Sequence, residues 1–197
     1  MRMAIDHEER RAYIAKVTID LVAREGLAAA SIRRIAAEAG FSTTAITGYF
    51  ADKQELLVWS FSVLAELGEQ AFALEQARHP GDPIAPVLTM VPWCKENLRR
   101  WNAYLAFWDE AARDPELAAL VRGSTVAGVD FLRALLAAHA PPGSDIEGAG
   151  TLFNGIIQGL SMQMLVEPAK WSEERTRAML QEAFDLSLLR ASAAAKA

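Results

Sequence analysis

One cysteine, Cys94, stands among 197 residues, so no intrachain disulfide can staple this fold. The three histidines, His7, His79 and His139, are too far apart in sequence to show metal-ligand spacing with it. The chain contains no H-E-x-x-H, no G-x-S-x-G and no glycine-rich phosphate loop. Asp109 and Glu110 are adjacent carboxylates, and adjacent residues on a helix point in different directions. No catalytic, metal-binding or cofactor constellation emerges, so neither an enzyme nor a cofactor is expected. Long apolar runs are missing too. Leu152 to Val166 comes nearest and is too short to span a bilayer, which leaves no membrane partner. The opening MRMAIDHEERR lacks the apolar centre of a secretory signal. With the lone cysteine, this fits a reducing cytoplasm as the expected location. Strand-like alternation is also absent.

Positive charge is scarce overall. The net charge is −5 and the pI about 5.3, which argues against coating nucleic acid along the whole chain. The imbalance is uneven. Residues 1–53 carry eight Lys and Arg against seven Asp and Glu, a net +1. Residues 54–197 carry twelve against eighteen, a net −6. A polyanion should therefore meet the N-terminal part.

Apolar residues make up 52% of the chain, ample for a folded core, and their spacing is helical almost throughout. Ile14, Val17, Leu21 and Val22 form one stripe that Gly26 can end. Ser31 can cap a second helix whose inner face is Ile32, Ile35, Ala36 and Ala39. Gly40 turns the chain, and Ser42 can cap a short third helix ending near Gly48. Asp52 and Glu55 have capping-box spacing and open a long fourth helix, with Leu57, Phe61, Leu64, Gly68 and Phe72 on one face. HPGDPIAP (79–86) and HAPPGSD (139–145) are clear breaks. Between them lie a Trp-rich helix and one begun by Asp114-Pro115. Beyond them, Asp145 caps a helix reaching about Val166, and a last helix runs from about Ser172 to Leu189. The final ASAAAKA reads as a frayed tail. About nine or ten helices and no sheet make an all-α protein.

Residues 31–50 carry the one positive functional signal. Two short helices flank the glycine turn EAGFS, with a supporting helix on each side, which is helix-turn-helix geometry. Such a unit lays its second helix in the DNA major groove. The exposed hydroxyls of Ser42, Thr43, Thr44 and Thr47 suit bases and phosphates there, and threonine methyls suit thymine. A plain helical hairpin, whose Ser and Thr residues only cap and turn, satisfies the same pattern.

The stretch from about Arg10 to Leu57 strongly resembles the DNA-binding domain of the TetR family of bacterial transcriptional regulators. The matching features are E-G after the first helix, S-I-R-R-I-A-x-x-A-G, the Y-F pair and D-K-x-x-L-L. WNAYLAFWDEAARDPELAAL and FNGIIQGLSMQMLVEP resemble the C-terminal domain of the family's BetI-like branch. The resemblance implies a three-helix DNA-binding domain over residues 1–53. The long fourth helix joins it to a helical ligand-binding and dimerisation domain over 54–197. It implies that Ser31 touches a phosphate, that Thr43 and Thr44 face bases, and that Tyr49 and Lys53 bind phosphates. Arg33 either reaches DNA or is simply solvated. Thr47 and Gly48 depart from the larger residues common in the family, which puts one backbone contact in doubt.

The implied partners are double-stranded palindromic operator DNA, a second copy of the chain and a small-molecule inducer of unknown identity. The homodimer would use the helices about 115–139 and 145–166, with Phe131, Gly155, Gly159 and Met162 at the interface. Gly155 and Gly159 equally suit packing inside the subunit. Trp93, Trp101, Tyr104 and Trp108, with Asn154 and Gln158, are candidates for a ligand pocket, though the same aromatics serve as helix packing. The expected function is a ligand-responsive repressor. Its rivals are a helical small-molecule-binding enzyme and an architectural DNA protein.

Overall fold

The computed structural model describes the backbone of residues 2–194 and the side chains of residues 7–193. Among them are nine α-helices and no strand. They are α1 (Arg2–Glu25), α2 (Ile32–Ala39), α3 (Thr43–Tyr49), α4 (Lys53–Arg78), α5 (Ile84–Leu88), α6 (Lys95–Ala111), α7 (Pro115–Ala137), α8 (Ile146–Val166) and α9 (Glu173–Ala194). Short 3-10 turns, Leu27–Ala29 and Pro168–Lys170, follow α1 and α8. None of the helices is long and apolar enough to cross a membrane.

Local chemistry sets most boundaries. The side chains of Ser31, Ser42, Asp145 and Ser172 each accept a backbone N–H from the first turn of the following helix. Asp114 accepts two, from Glu116 and Leu117, at the start of α7. Gly40 closes α2 with φ 73°, a left-handed conformation that glycine adopts without a Cβ penalty.

The helices form two compact units, and the division falls within α4, α6 and α7. The first comprises Met1–Leu67 and Arg99–Arg122. Its core joins Ile14, Leu21 and Val22 of α1 to Ile35, Ile46, Phe50, Leu56, Phe61 and Leu64, with Phe107 and Leu117 completing it. Phe61 meets Phe107 edge-on at 5.6 Å. The head expected over residues 1–53 thus shares its core with later parts of the same unit.

The second unit comprises Gly68–Leu98 and Gly123–Ala197. Its core gathers Ile84, Val87, Leu132, Leu136, Phe153, Ile157, Met164, Leu180 and Phe184. Here α5 replaces part of the break expected at 79–86. All five of its residues are buried, and Asp82 caps it through the N–H groups of Ile84 and Ala85. Prolines at positions 83 and 86 hid it, yet proline is tolerated in a first turn, where no intrahelical N–H is needed. Buried Asn97 ties the start of α6 to this segment by donating to the carbonyls of Leu88 and Val91, both at 2.9 Å.

The tail also differs from expectation. Helix α9 continues to Ala194 because Ala191 is fully buried and its carbonyl accepts the Asp145 N–H at 3.1 Å. The rest of the expected tail, 195–197, lies outside the described residues.

Asp82 gives the second unit an acid-sensitive point. Burial works against its charge, but the Ile84 N–H, the Arg177 guanidinium and the Ala85 N–H together hold its carboxyl below the ordinary value. A carboxyl depressed on folding stabilises fully above its unfolded pKa, and that stability is lost as pH falls through the folded value. The thermal midpoint should therefore drop on acidification below about pH 4. Asp82→Asn should lower the midpoint at neutral pH and flatten this acid dependence, as followed by circular dichroism. An unchanged acid limb in Asp82→Asn would remove Asp82 from the account.

Candidate nucleic-acid interface

Helix α3 has seven residues, and only Ile46 is fully buried among them. The Phe41 N–H bonds the Ala36 carbonyl on one side of it, and buried Phe50 follows on the other. This anchorage turns a whole polar face outward. Ser42, Thr43, Thr44, Thr47 and Gly48 are all exposed, as are Ser31 and Arg33 at the start of α2.

The hydroxyls on this face are not equivalent. Ser31 accepts from the Arg34 N–H and Ser42 from the Ala45 N–H, at 3.2 and 3.1 Å. Each therefore keeps an O–H free to donate, which suits a phosphate oxygen. Thr47 donates to the Thr44 carbonyl at 3.1 Å. What it presents outward is a lone pair and a methyl group. Thr43 and Thr44, at the first two positions of the helix, stand where a recognition helix meets base edges.

Charge is distributed selectively. Arg24 and Arg34 are engaged by Glu25 and Glu38. Among the described residues neither Arg33 nor Lys53 makes an ion pair, so both keep their charge for an anion. Lys53 opens α4 behind a partial capping box. Asp52 accepts the Glu55 N–H at 2.8 Å, while the Glu55 carboxylate accepts from Ala51 at 2.7 Å, not from Asp52. That N–H, with Arg11 behind it, outweighs desolvation and holds the Glu55 carboxyl below its ordinary value.

Half-buried Tyr49 closes α3. Its ring lies 4.9 Å from His7 and 6.5 Å from Phe41, and its hydroxyl receives Arg10 Nη1 at 3.2 Å. The sequence pointed to Tyr49 but not to these two partners on α1. No motif marks them, since they lie 42 and 39 residues away in the chain.

The remaining candidates do not converge on one unit. Trp101, Tyr104 and Trp108 belong to the first, Trp93, Asn154 and Gln158 to the second. Trp101 and Trp108 meet edge to face at 6.2 Å. Tyr104 packs on Phe61, and its hydroxyl is spent on the Leu64 carbonyl. The Trp93 indole donates to the Leu88 carbonyl. An open cleft of about 710 Å³ in the first unit runs past Leu27, Asp52, Lys53, Leu57, Asp109 and Glu110. Phe131 stacks on Phe72 at 5.2 Å, whereas Gly155, Gly159 and Met162 are exposed along α8. No group of three candidate metal ligands occurs among the described residues.

Residues 14–58 match the family described as "Bacterial regulatory proteins, tetR family", and residues 86–189 match "BetI-type transcriptional repressor, C-terminal". The chain is 28% identical over 191 residues to the HTH-type transcriptional regulator PksA of Bacillus subtilis, covering 92% of this chain and 91% of that one. A transcriptional regulator from Rhodococcus sp. Rha1 has the same fold, with a TM-score of 0.81 and 24% identity over 92% of this chain and 97% of that one. So does a regulator from Saccharomonospora viridis solved with choline, with a TM-score of 0.76 and 21% identity over 90% and 96% of the two chains.

Gly48 lies within α3, and a Cβ built there meets nothing within 4 Å. Gly48→Ala should therefore stabilise the free protein by about 0.5–1 kcal/mol, the usual helix-interior difference. Ser42→Ala should cost about 1 kcal/mol through its lost cap. Urea unfolding measures both. A destabilising Gly48→Ala would show that α3 does not continue through this position.

Proposed function

Since the chain belongs to the TetR family of DNA-binding transcriptional regulators, with a BetI-type C-terminal domain, we propose that it acts as a homodimeric repressor. On this reading it holds a palindromic operator and is released by a small organic molecule. Residues 1–53 serve as the DNA-binding domain and 54–197 as the ligand-binding and dimerisation domain, in the cytoplasm.

The observation that carries the DNA contact is the outward face of α3. Thr43 and Thr44 read bases, while Ser31, Ser42, Tyr49 and Lys53 hold phosphates, with Arg33 beside them. Thr47 offers its methyl and lone pair to the groove. Two heads, one per subunit, meet half-sites separated by roughly 34–36 Å or multiples of it.

Dimerisation is supported by a stripe on α8. Leu152, Gly155, Gly159, Met162 and Val166 are exposed and spaced alternately by three and four residues, the repeat of a helix–helix seam. Met179, Leu186 and Leu189 are exposed at similar spacing on α9. This favours α8 with α9 as the seam, in place of the α7 and α8 pairing read from the sequence. Phe131 of α7 is occupied by Phe72 within its own unit.

For the inducer, the proposed contacts are taken unit by unit: Trp101, Tyr104 and Trp108 in the first, and Trp93, Asn154 and Gln158 in the second. Asn154 and Gln158 are half-buried on α8 and can orient a ligand against aromatic walls. The choline bound by the Saccharomonospora protein makes small organic cations the first class to screen.

Titrating operator and scrambled duplexes at several salt concentrations tests the DNA reading. Thr43→Ala should relax preference at particular operator positions by about 1 kcal/mol, the weak end for a base contact. Lys53→Ala should weaken every duplex alike and reduce the salt slope by about one unit per subunit. Base preference that moves with Lys53→Ala and not with Thr43→Ala would invert the docking. Light scattering tests the dimer, which should have about twice the 21.5 kDa chain mass. A Cβ at Gly159 meets nothing within 4 Å in the subunit. Gly159→Leu should therefore leave the subunit folded and give a monomer; a dimer of unchanged affinity would rule out this seam.

A further inference from the structure

Every exposed residue from Ser42 to Gly48 has a short side chain or none. They are Ser42, Thr43, Thr44, Thr47 and Gly48, with half-buried Ala45 beside them and Ile46 turned into the core. None has the fork with which Arg grips guanine, or Asn and Gln grip adenine. Thr43 and Thr47 are four residues apart and Thr44 and Thr47 three, so the three threonines share one face. Short side chains reach base edges only if the helix lies deep. An α-helix with its side chains is about 10–12 Å across and the major groove about 12 Å wide, so bulk on this face would hold the helix out. At Gly48 a Cβ would meet nothing within 4 Å, and the bare backbone leaves room for the groove wall.

A hydroxyl that both donates and accepts suits any base pair and discriminates poorly. Thr47 differs. Its hydroxyl donates to the Thr44 carbonyl at 3.1 Å, which also holds one of the two rotamers that a helical threonine favours. What remains is a methyl group in a fixed place and an oxygen that can only accept. In the major groove an A·T pair carries a methyl on thymine and an amino donor on adenine, while a G·C pair carries an amino donor and no methyl. The methyl is therefore the part of Thr47 that tells the two pairs apart.

We propose that α3 recognises thymine in each operator half-site by its 5-methyl group, and that the Thr47 methyl is the group that meets it. This rests on the DNA-binding reading of α3 and adds to it the base that is read and the atom that reads it. Thr47 is then a specificity residue whose hydroxyl positions its own methyl.

The test starts from a pool of duplexes with randomised centres, from which the full chain selects a binding sequence. The selected duplex is remade with deoxyuridine for thymidine, which removes the methyl groups and keeps every base-pairing atom. The unaltered protein should bind the uracil duplex about four-fold more weakly for each methyl it contacts, the worth of one buried methyl. Thr47→Val keeps the methyl and removes the hydroxyl, and it should keep the preference for thymine. Thr47→Ser keeps the hydroxyl and removes the methyl, and its preference should shrink by about four-fold per subunit. Serine, threonine and valine have similar helix propensities, and equal thermal midpoints confirm that the head is intact in each. Equal binding of the two duplexes by the unaltered protein overturns the proposal. So does a thymine preference undiminished in Thr47→Ser, since the methyls would then act through duplex shape and not through this contact. A preference lost in Thr47→Val overturns it too, by assigning the reading to the hydroxyl. Should the unaltered protein select no sequence from the pool, the DNA-binding reading itself falls and the proposal with it, a result visible before any thymine is replaced.

Discussion

The reading head depends on where one cation, Arg11, is held. Its guanidinium lies 4.6 Å from the centre of Phe50 and 4.3 Å from that of Trp59, and it donates to Glu55 at 2.8 Å. Drawing a guanidinium out of water is costly, and its Nε has no partner. The aromatic faces offset this, each by about 0.5–2 kcal/mol. The other oxygen of Glu55 holds the Ala51 N–H. Helix α1, the turn after α3 and the start of α4 therefore converge on one knot. A seven-residue helix cannot keep its angle by its own propensity. Because the knot and the Gly40 turn fix its two ends, α3 can leave Thr43, Thr44 and Thr47 facing outward.

The same unit carries a route by which that face can be disturbed. The Gln54 side chain donates to Asp114, whose other oxygen caps the first turn of α7. The residue before Gln54 is Lys53, and α6 ends just before Asp114. On the proposed reading, a ligand that shifts α6 or α7 pulls on the phosphate-holding end of α4. Such a ligand acts only through its different affinity for the two arrangements, and coupling of about 1–3 kcal/mol is the usual range.

What could be read from the sequence was local. The caps at Ser31, Ser42 and Asp145, the helix start at Asp114-Pro115 and the turn at Gly40 involve residues within a few positions of one another, so their spacing announces them. The exposed face of α3 followed from those caps. Helix α5 was hidden because its prolines read as a break, while the burial that stabilises it comes from distant residues. The ordered end of α9 depends on the Asp145 N–H, 46 positions earlier. The attachment of Arg10 and His7 to Tyr49 is tertiary in the same sense. The aromatic candidates of α6 were ambiguous for a different reason: a tryptophan has the same pattern whether it lines a pocket or packs a helix.

Gly40 is needed by its own backbone, whereas Gly48, Gly155 and Gly159 sit in helices with open space beside them. Their positions suit close approach from outside the subunit, by DNA at the first and by a second copy at the other two. Hydroxyl-radical footprinting on the DNA upstream of the protein's own gene tests this whole arrangement. The account predicts two protected patches on one face of the duplex, with centres about 10 base pairs apart or a multiple of that. A single continuous tract of protection, or patches without that spacing, would contradict paired α3 helices reading two half-sites.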